Sequence, residues 1–351
     1  MKINKGQFFL SNFDNFLFHF KKSKGHRLHY LWERYKWNNY PKKHILSSMP
    51  LLVDIETSSV CNLKCPMCFT VSEEYKKNAV KKFMDLDLFK KIIDECAENN
   101  VYTVRLSYRG EPFINPQILD MIKYAKNAGI KEVSSLTNAT AIIPEMFEEI
   151  LKAGLDWLTI SFDGLYEKYE EIRRPAKFEE MYDRIKQFAA IKKKYKSTKP
   201  ILKVQAIWTQ IQNDPDAYYE AFIPYVDNIA TNALISFDDN REEKSVFEEN
   251  FDCPFVWQRL TVLSNGDVSI CINDEQVRHI ISNVKDNSIK SIWNGETFQK
   301  IRETHKNHLG LKDIEVCRRC YLPRKSIPKV VTLKNNKKLV MAEYCQKETT
   351  E

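Results

Sequence analysis

The sequence predicts an α/β protein: about six βα units around a parallel sheet, then a small cysteine-rich C-terminal subdomain. Three observations predict it. From residue 51 onward short β-type runs alternate with longer helical patterns. Near residue 240 that rhythm gives way to a hairpin and a helix. The nine cysteines fall into a set of three and a set of four, with two left over.

The strands expected, in order, are 51–57 (LLVDIET), 101–108 (VYTVRLSY), 131–137 (KEVSSLT), 156–162 (DWLTISF), 201–209 (ILKVQAIWT) and 232–236 (NALIS). Helical periodicity falls between them at 85–98, 116–128, 144–153, 178–194 and 215–226. The run RLTVLSNGDVSICI then reads as a hairpin, because Asn265-Gly266-Asp267 tolerates positive φ in the turn. One more helix is expected over 288–303. This last region holds four cysteines and would struggle to build a core alone, which suits a unit stapled by metal. The expected organisation is an arm over 1–50, a core over 51–240, the cysteine-rich subdomain over 241–325 and a polar tail over 326–351.

Composition narrows the class. At 43% hydrophobic and 12% aromatic residues the chain is no disordered polymer, and nine Gly with 13 Pro exclude a fibrous one. No run of 18 apolar residues exists to span a membrane. Asn and Asp interrupt the first twenty residues too often for a secretory signal, so the sequence reads as cytoplasmic. The net charge is +7, but the first fifty residues hold ten Lys and Arg against Asp14 and Glu33. Basicity therefore belongs to the arm, and no nucleic-acid surface is expected. In the arm Phe9, Phe13, Phe16 and Phe20 recur at helical spacing before Lys21, Lys22 and Lys24. The expectation is a helix packed on the core; the sharper alternative is a weak contact with an anionic membrane surface, or with a lipid-linked or phosphorylated substrate.

Cys61, Cys65 and Cys68 stand in VCNLKCPMCF just after the first strand, spaced C-x3-C-x2-C. Three thiolates grip three corners of a 4Fe–4S cube and leave one iron open for chemistry. A zinc knuckle would want a fourth ligand nearby, and between Glu56 and Ser107 the only other Cys or His is Cys96, inside a helical pattern.

With this cluster the sequence resembles the radical S-adenosylmethionine (SAM) superfamily, whose C-x3-C-x-aromatic-C signature follows strand one of a partial (βα)6 TIM-like barrel. Met67 stands where many members carry the aromatic residue that touches adenine. Arg109-Gly110-Glu111-Pro112 resembles the Gly-Gly-Glu motif that receives the methionyl amine, with Arg109 in place of the first glycine. Thr137-Asn138 resembles Thr-Asn-Gly, Ser161-Phe162-Asp163-Gly164 resembles Ser-x-Asp-Gly, and Tyr169-Glu170-Glu171-Ile172-Arg173 completes the series. All fall at strand ends, where a βα barrel places its ligands. The resemblance thus implies SAM contacts at Met67, Gly110, Glu111, Asn138, Ser161, Asp163 and Arg173. It also implies electrons from a flavodoxin or ferredoxin, reductive cleavage of SAM to a 5′-deoxyadenosyl radical, and abstraction of a substrate hydrogen.

Cys253, Cys271, Cys317 and Cys320, spaced C-x12-G-x4-C and C-x2-C, make one closed four-thiolate site. They resemble the SPASM/twitch extension of these enzymes. The stretch RRCYLPRKSIPK lacks the three further cysteines of a full SPASM pattern, which implies one auxiliary 4Fe–4S cluster. A structural zinc ribbon is the alternative. Trp257 and Arg259 either line the substrate cavity or pack beside the cluster. Cys96 reads as a core residue, and Cys345 as a surface thiol or hydrogen donor.

The function expected is a radical SAM oxidoreductase that dehydrogenates a small, carbohydrate-like substrate. The alternatives are an epimerase, a peptide-modifying enzyme, and a non-catalytic iron–sulfur or zinc scaffold. Against peptide modification, the arm is too short for the leader-recognition domain of many peptide-modifying relatives.

Overall fold

The structure is a computed structural model and describes Phe16 and residues 19–232, 245–334 and 338–345. Its frame is a run of βα units: β1 (Leu52–Ile55), α2 (Glu73–Asn78), α3 (Leu86–Glu98), β2 (Thr103–Arg105), α4 (Ile118–Asn127), β3 (Glu132–Thr137), α5 (Pro144–Ala153) and β4 (Trp157–Ser161). After them come α6 (Tyr166–Ile172), α7 (Phe178–Lys194), β5 (Ile201–Ile207), α8 (Pro215–Phe222) and β6 (Asn228–Asn232). Strands β1 to β6 lie side by side in chain order and run parallel. Alternation along the strands sorts their side chains. Val53, Ile55, Val104, Val133, Leu158, Ile160, Leu202 and Val204 pack under the helices in one core with Phe89, Ile92, Met121, Phe147 and Phe188. The opposite face is polar, carrying Asp54, Arg105, Thr159 and Lys203. Local signals set the helix ends: Asp85 caps α3 by accepting from the Leu88 amide at 2.9 Å, and Gly154 closes α5 at φ +84°.

The cysteine-rich region joins the same sheet. Strand β7 (Arg259–Val262) pairs parallel to β1, and β8 (Asp267–Ser269) and β9 (Ile280–Asn283) follow antiparallel. Gly266 turns the hairpin at φ +93°. Beyond it lie α9 (Ile289–Asn294), α10 (Glu296–Lys306), α11 (Gly310–Asp313) and α12 (Glu315–Arg319).

Four expectations need correction. The sixth strand is Asn228–Asn232, in register with Lys203–Ile207; of the expected 232–236 only Asn232 is described. Its Asn and Thr residues share a strand with buried Ile229, so a search for apolar runs passes over it. The helix expected over 288–303 is two helices, because Gly295 takes an extended conformation between them. The polar tail forms a hairpin, β10 (Ser326–Thr332) paired with β11 (Lys338–Tyr344). Finally, the arm has a helix the periodicity did not announce, α1 (Arg27–Asn39).

The arm lies against the N-terminal ends of the strands. Lys22 pairs with Glu132, the first residue of β3, at 2.9 Å, the carboxylate buried and the lysine nearly so. Lys21 pairs with Asp227 just before β6 at 2.9 Å. His26 meets the Tyr102 hydroxyl at 2.7 Å, and the Gln258 amide donates to Trp37 O at 2.7 Å. Of the expected phenylalanines, Phe16 and Phe20 stack on each other and stay exposed, while Phe9 and Phe13 lie outside the described residues. On α1, Leu28, Leu31, Trp32 and Tyr35 form an exposed apolar stripe. Among the described residues no helix is long and apolar enough to cross a membrane.

Candidate active site

At the C-terminal end of β1 the chain enters the loop that carries Cys61, Cys65 and Cys68. Cys65 is buried and the other two are half-buried, and none is in a disulfide. The thiols are close enough to feel one another's charge. Burial, and to a lesser degree Glu111 and the two neighbouring thiols, pushes Cys61 up to about 11, with the Leu63 amide opposing. Nitrogen donors already aim at sulfur: Leu63 N lies 3.5 Å from Cys61 Sγ, Asn138 Nδ2 3.8 Å from the same atom, and Arg173 Nη1 3.8 Å from Cys65 Sγ.

The strand-end motifs hold this loop in place. Gly110 has φ +62°, and a Cβ there would sit 2.4 Å from Ser58 O and 2.6 Å from Val60 O, so only glycine permits the approach. Glu111 N donates to Val60 O at 2.8 Å. Its buried carboxylate accepts from Thr137 Oγ1 at 2.6 Å, Asn138 N at 2.7 Å and Phe113 N at 3.1 Å. Burial still wins over these donors and raises Glu111 to about 6. Glu111 is therefore a strut between the ends of β2 and β3, with Asn138 continuing it to Asn62 Oδ1 at 3.0 Å. Asp163 takes Arg173 Nη2 at 2.5 Å and the Ile207 amide at 2.6 Å. Ser161 ends β4 with no side-chain hydrogen bond among the described residues, and Met67 is half-buried in the cysteine loop.

Sequence reasoning missed part of this wall. Arg109 forks onto Glu56 with 2.5 and 2.8 Å contacts, and Glu56 also accepts from Ser264 N at 3.0 Å. The buried Tyr108 and Tyr169 hydroxyls, Arg109 Nη1 and Arg173 Nε have no hydrogen-bond partner among the described residues. Such orphans are uncommon in a finished interior. Hydroxyls, ring nitrogens and a carboxylate, which SAM carries, would satisfy them, so the residues present fit that cofactor and its cluster.

The second thiol set also converges. Burial drives Cys253 up strongly, with Cys271, Cys317 and Cys320 adding to it. Asn273 Nδ2 lies 3.1 Å and Leu322 N 3.4 Å from Cys320 Sγ, Asn273 N 3.4 Å from Cys271 Sγ, and His305 Nε2 3.4 Å from Cys317 Sγ. N–H donors around four sulfurs, one buried and three half-buried, suit a fully ligated, negatively charged cluster. Trp257 is buried and packs on His44 with ring centroids 5.3 Å apart. Arg259 instead turns to Asp54, at 2.7 to 2.9 Å. Cys96 is wholly buried in α3. Cys345 is half-buried just after β11, its amide bonded to Lys325 O.

The model of the radical SAM superfamily matches residues 55–202, and that of an iron–sulfur cluster-binding domain, SPASM, matches residues 253–321. The chain belongs to the radical SAM superfamily. The cofactors that go with these two domains are SAM, a SAM-binding 4Fe–4S cluster and auxiliary iron–sulfur chemistry in the second domain, in place of the zinc ribbon left open above. The chain is 33% identical over 112 residues to the tungsten-containing aldehyde ferredoxin oxidoreductase cofactor-modifying protein of Pyrococcus furiosus, covering 32% of this chain and 30% of that protein. It is 32% identical over 119 residues to the PqqA peptide cyclase of Bradyrhizobium diazoefficiens, covering 34% and 30%. The alignments thus span about a third of these curated relatives' length. Among solved structures, BtrN in complex with AdoMet and 2-DOIA matches with TM-score 0.54 and 16% identity over 78% of this chain and 93% of that one. Streptococcus suis SuiB bound to SAM matches with TM-score 0.57 and 18% identity over 84% and 77%. At such identities the likeness is one of fold.

Proposed function

We propose that this radical SAM enzyme removes hydrogen from a small, carbohydrate-like substrate and oxidises it by two electrons. The observation behind the oxidation is the second set of four thiols, Cys253 buried and Cys271, Cys317 and Cys320 half-buried, lined with N–H donors. When bound, the first cluster with SAM supplies a 5′-deoxyadenosyl radical and the auxiliary cluster supplies an electron acceptor. Cys61, Cys65 and Cys68 are assigned to hold the first and Cys253, Cys271, Cys317 and Cys320 the second. Gly110 and Asn138 keep the cysteine loop against the strand ends, with Glu111 as the strut behind them. Met67, Ser161, Asp163 and Arg173 are assigned to orient SAM, with the free donors of Arg109 and Arg173 beside it. The polar inner face of the sheet receives the substrate, and the arm shuts water out at the far end. Overall, a C–H hydrogen, a proton and an electron leave a hydroxyl-bearing carbon, giving a ketone.

A second reading is peptide modification, favoured by the PqqA peptide cyclase among the relatives and by the fit of SuiB bound to its precursor peptide SuiA (TM-score 0.56). Turnover in deuterated water separates the outcomes. Dehydrogenation gives a product two mass units below substrate. An unchanged oxidation level with one carbon-bound deuterium, lost in Cys345→Ala, identifies an epimerase with Cys345 as donor. Turnover of peptides alone supports the second reading.

A further inference from the structure

Lys203 lies in the middle of an alternating strand, ILKVQAI, whose Leu202 and Val204 sit in the core under the helices. Its own side chain therefore projects to the opposite, inner face, yet the residue is only 2% exposed. A flat sheet would keep β5 and β2 roughly 14 Å apart across β3 and β4, at about 4.8 Å per strand. The charge of Arg105 on β2 nevertheless reaches Lys203. The sheet is thus curled, and its inner face is the lumen of a partial barrel.

Among the described residues no carboxylate faces the Lys203 ammonium. The charges around it are Arg105 and Lys22, both cationic, and its Nζ lies over the Trp157 ring, 5.2 Å from the centroid. Among the described residues it makes no hydrogen bond or ion pair. Lys22 is already neutralised by Glu132. Arg105 and Arg259 share one counter-ion, Asp54, at 3.3 and 2.7 Å. Arg105 meets it with Nε at 3.3 Å and its side chain is 35% exposed, whereas Arg259 grips Asp54 with both Nε and Nη2 at 2.7 to 2.9 Å, so Arg105 is the less committed of the two. A protonated Lys203 therefore leaves this floor with two positive charges in excess. Burying an ammonium this way is costly unless an anion meets it. An isosteric Met would pack as well at no such cost. Burial first, then Arg105 and Lys22, brings Lys203 down to about 7.

We propose that Lys203, Arg105 and Arg259 form an anion site on the floor of the lumen that takes a phosphate ester or diphosphate, making the substrate a phosphorylated small molecule. Two excess charges match a dianion, and the guanidinium fork fits phosphate oxygens. The floor lies toward the arm and the N-terminal strand ends, opposite the Cys61 loop. A substrate anchored there by phosphate holds its other end toward the thiols. The inference rests on reading the lumen as the substrate site.

The test is calorimetric titration of the anaerobically purified full chain with inorganic pyrophosphate, without SAM or reductant. Saturable binding is expected, at least tenfold weaker in both Lys203→Gln and Arg105→Gln, with malonate at least tenfold weaker than pyrophosphate on the wild type. The ratio of wild-type to Lys203→Gln affinity should shrink as pH rises from 6 to 8.5, because Lys203 loses its proton while effects on pyrophosphate itself cancel. Absent binding, equal affinity in both folded variants, or preference for malonate overturns the proposal. Should Lys203→Gln not fold, Arg105→Gln, at the open edge, decides. Binding can fail while SAM cleavage stands, and cleavage can fail while binding stands, so the two readings fall separately.

Discussion

Arg109 and Glu56 face each other in the wall of the site with both side chains sealed from solvent. Breaking a buried pair from one side strands a charge, which costs about 3–5 kcal/mol. Arg109→Met should lose that much stability in anaerobic denaturant unfolding, and adding Glu56→Met should recover most of it. Some loss persists, because the Ser264 amide no longer has its acceptor. Glu111 makes a different prediction. Its folded pKa, about 6, lies above the ordinary 4.5. Its contribution to stability is therefore full below pH 4.5 and is lost as pH rises through about 6. Over that window the melting temperature of the wild type should fall relative to Glu111→Gln. Glu111→Ala also frees Thr137 and Asn138 behind the cysteine loop, and SAM affinity by equilibrium binding should drop about tenfold, as loss of an outer support commonly does.

Among the elements, the arm matters most to the barrel's closed end. Its cations are committed: Lys22 to Glu132 and Lys21 to Asp227, which also holds Lys192. Removing residues 1–24 strands the Glu132 carboxylate and leaves Asp227 with Lys192, so the truncated chain should melt lower, and Lys22→Met alone should reproduce most of the effect. SAM cleavage should survive, because the cysteine loop lies at the other end of the strands. The pairing also narrows any membrane contact to the exposed stripe of Leu28, Leu31, Trp32 and Tyr35 on α1. Sedimentation with anionic vesicles should drop when Leu31 and Trp32 become Asp; no change removes the lipid reading.

At the scale of the molecule, one sheet serves both thiol sets. The Cys61 loop leaves the C-terminal end of β1, while Cys253 leads into the N-terminal end of β7, and the two strands pair in parallel. Two 4Fe–4S clusters require about eight irons per chain, and replacing Cys61, Cys65 and Cys68 by Ala should remove half. Gly110→Ala should do the same without touching a cysteine, because its Cβ would push Ser58 and Val60 out of place. Iron and sulfide analysis of anaerobic protein checks both. Stoichiometric zinc on the second set would refute the auxiliary cluster.

The sequence by itself determined what is local. The spacing of Cys61, Cys65 and Cys68 is a property of eight residues, and the first five strands and their helices follow from periods of 2 and 3.6 that each segment carries alone. The turn at Gly266 and the strand-end placement of Gly110 and Asp163 were legible for the same reason. Tertiary structure decided what depends on distant partners. Lys203 alternates with Leu202 and Val204 just as a solvent-facing lysine would, and only the curl that brings β5 toward β2 turns that face into an interior. The Glu111 carboxylate reads as a free ligand until Thr137 and Asn138 fold onto it. Arg109 looks like a lost glycine until Glu56, 53 residues earlier, meets it. The lysines of the arm read as a solvated basic patch until Glu132 and Asp227 claim them. In each case the residue's role is set by a charge or donor far away in the chain, and no window of sequence contains both.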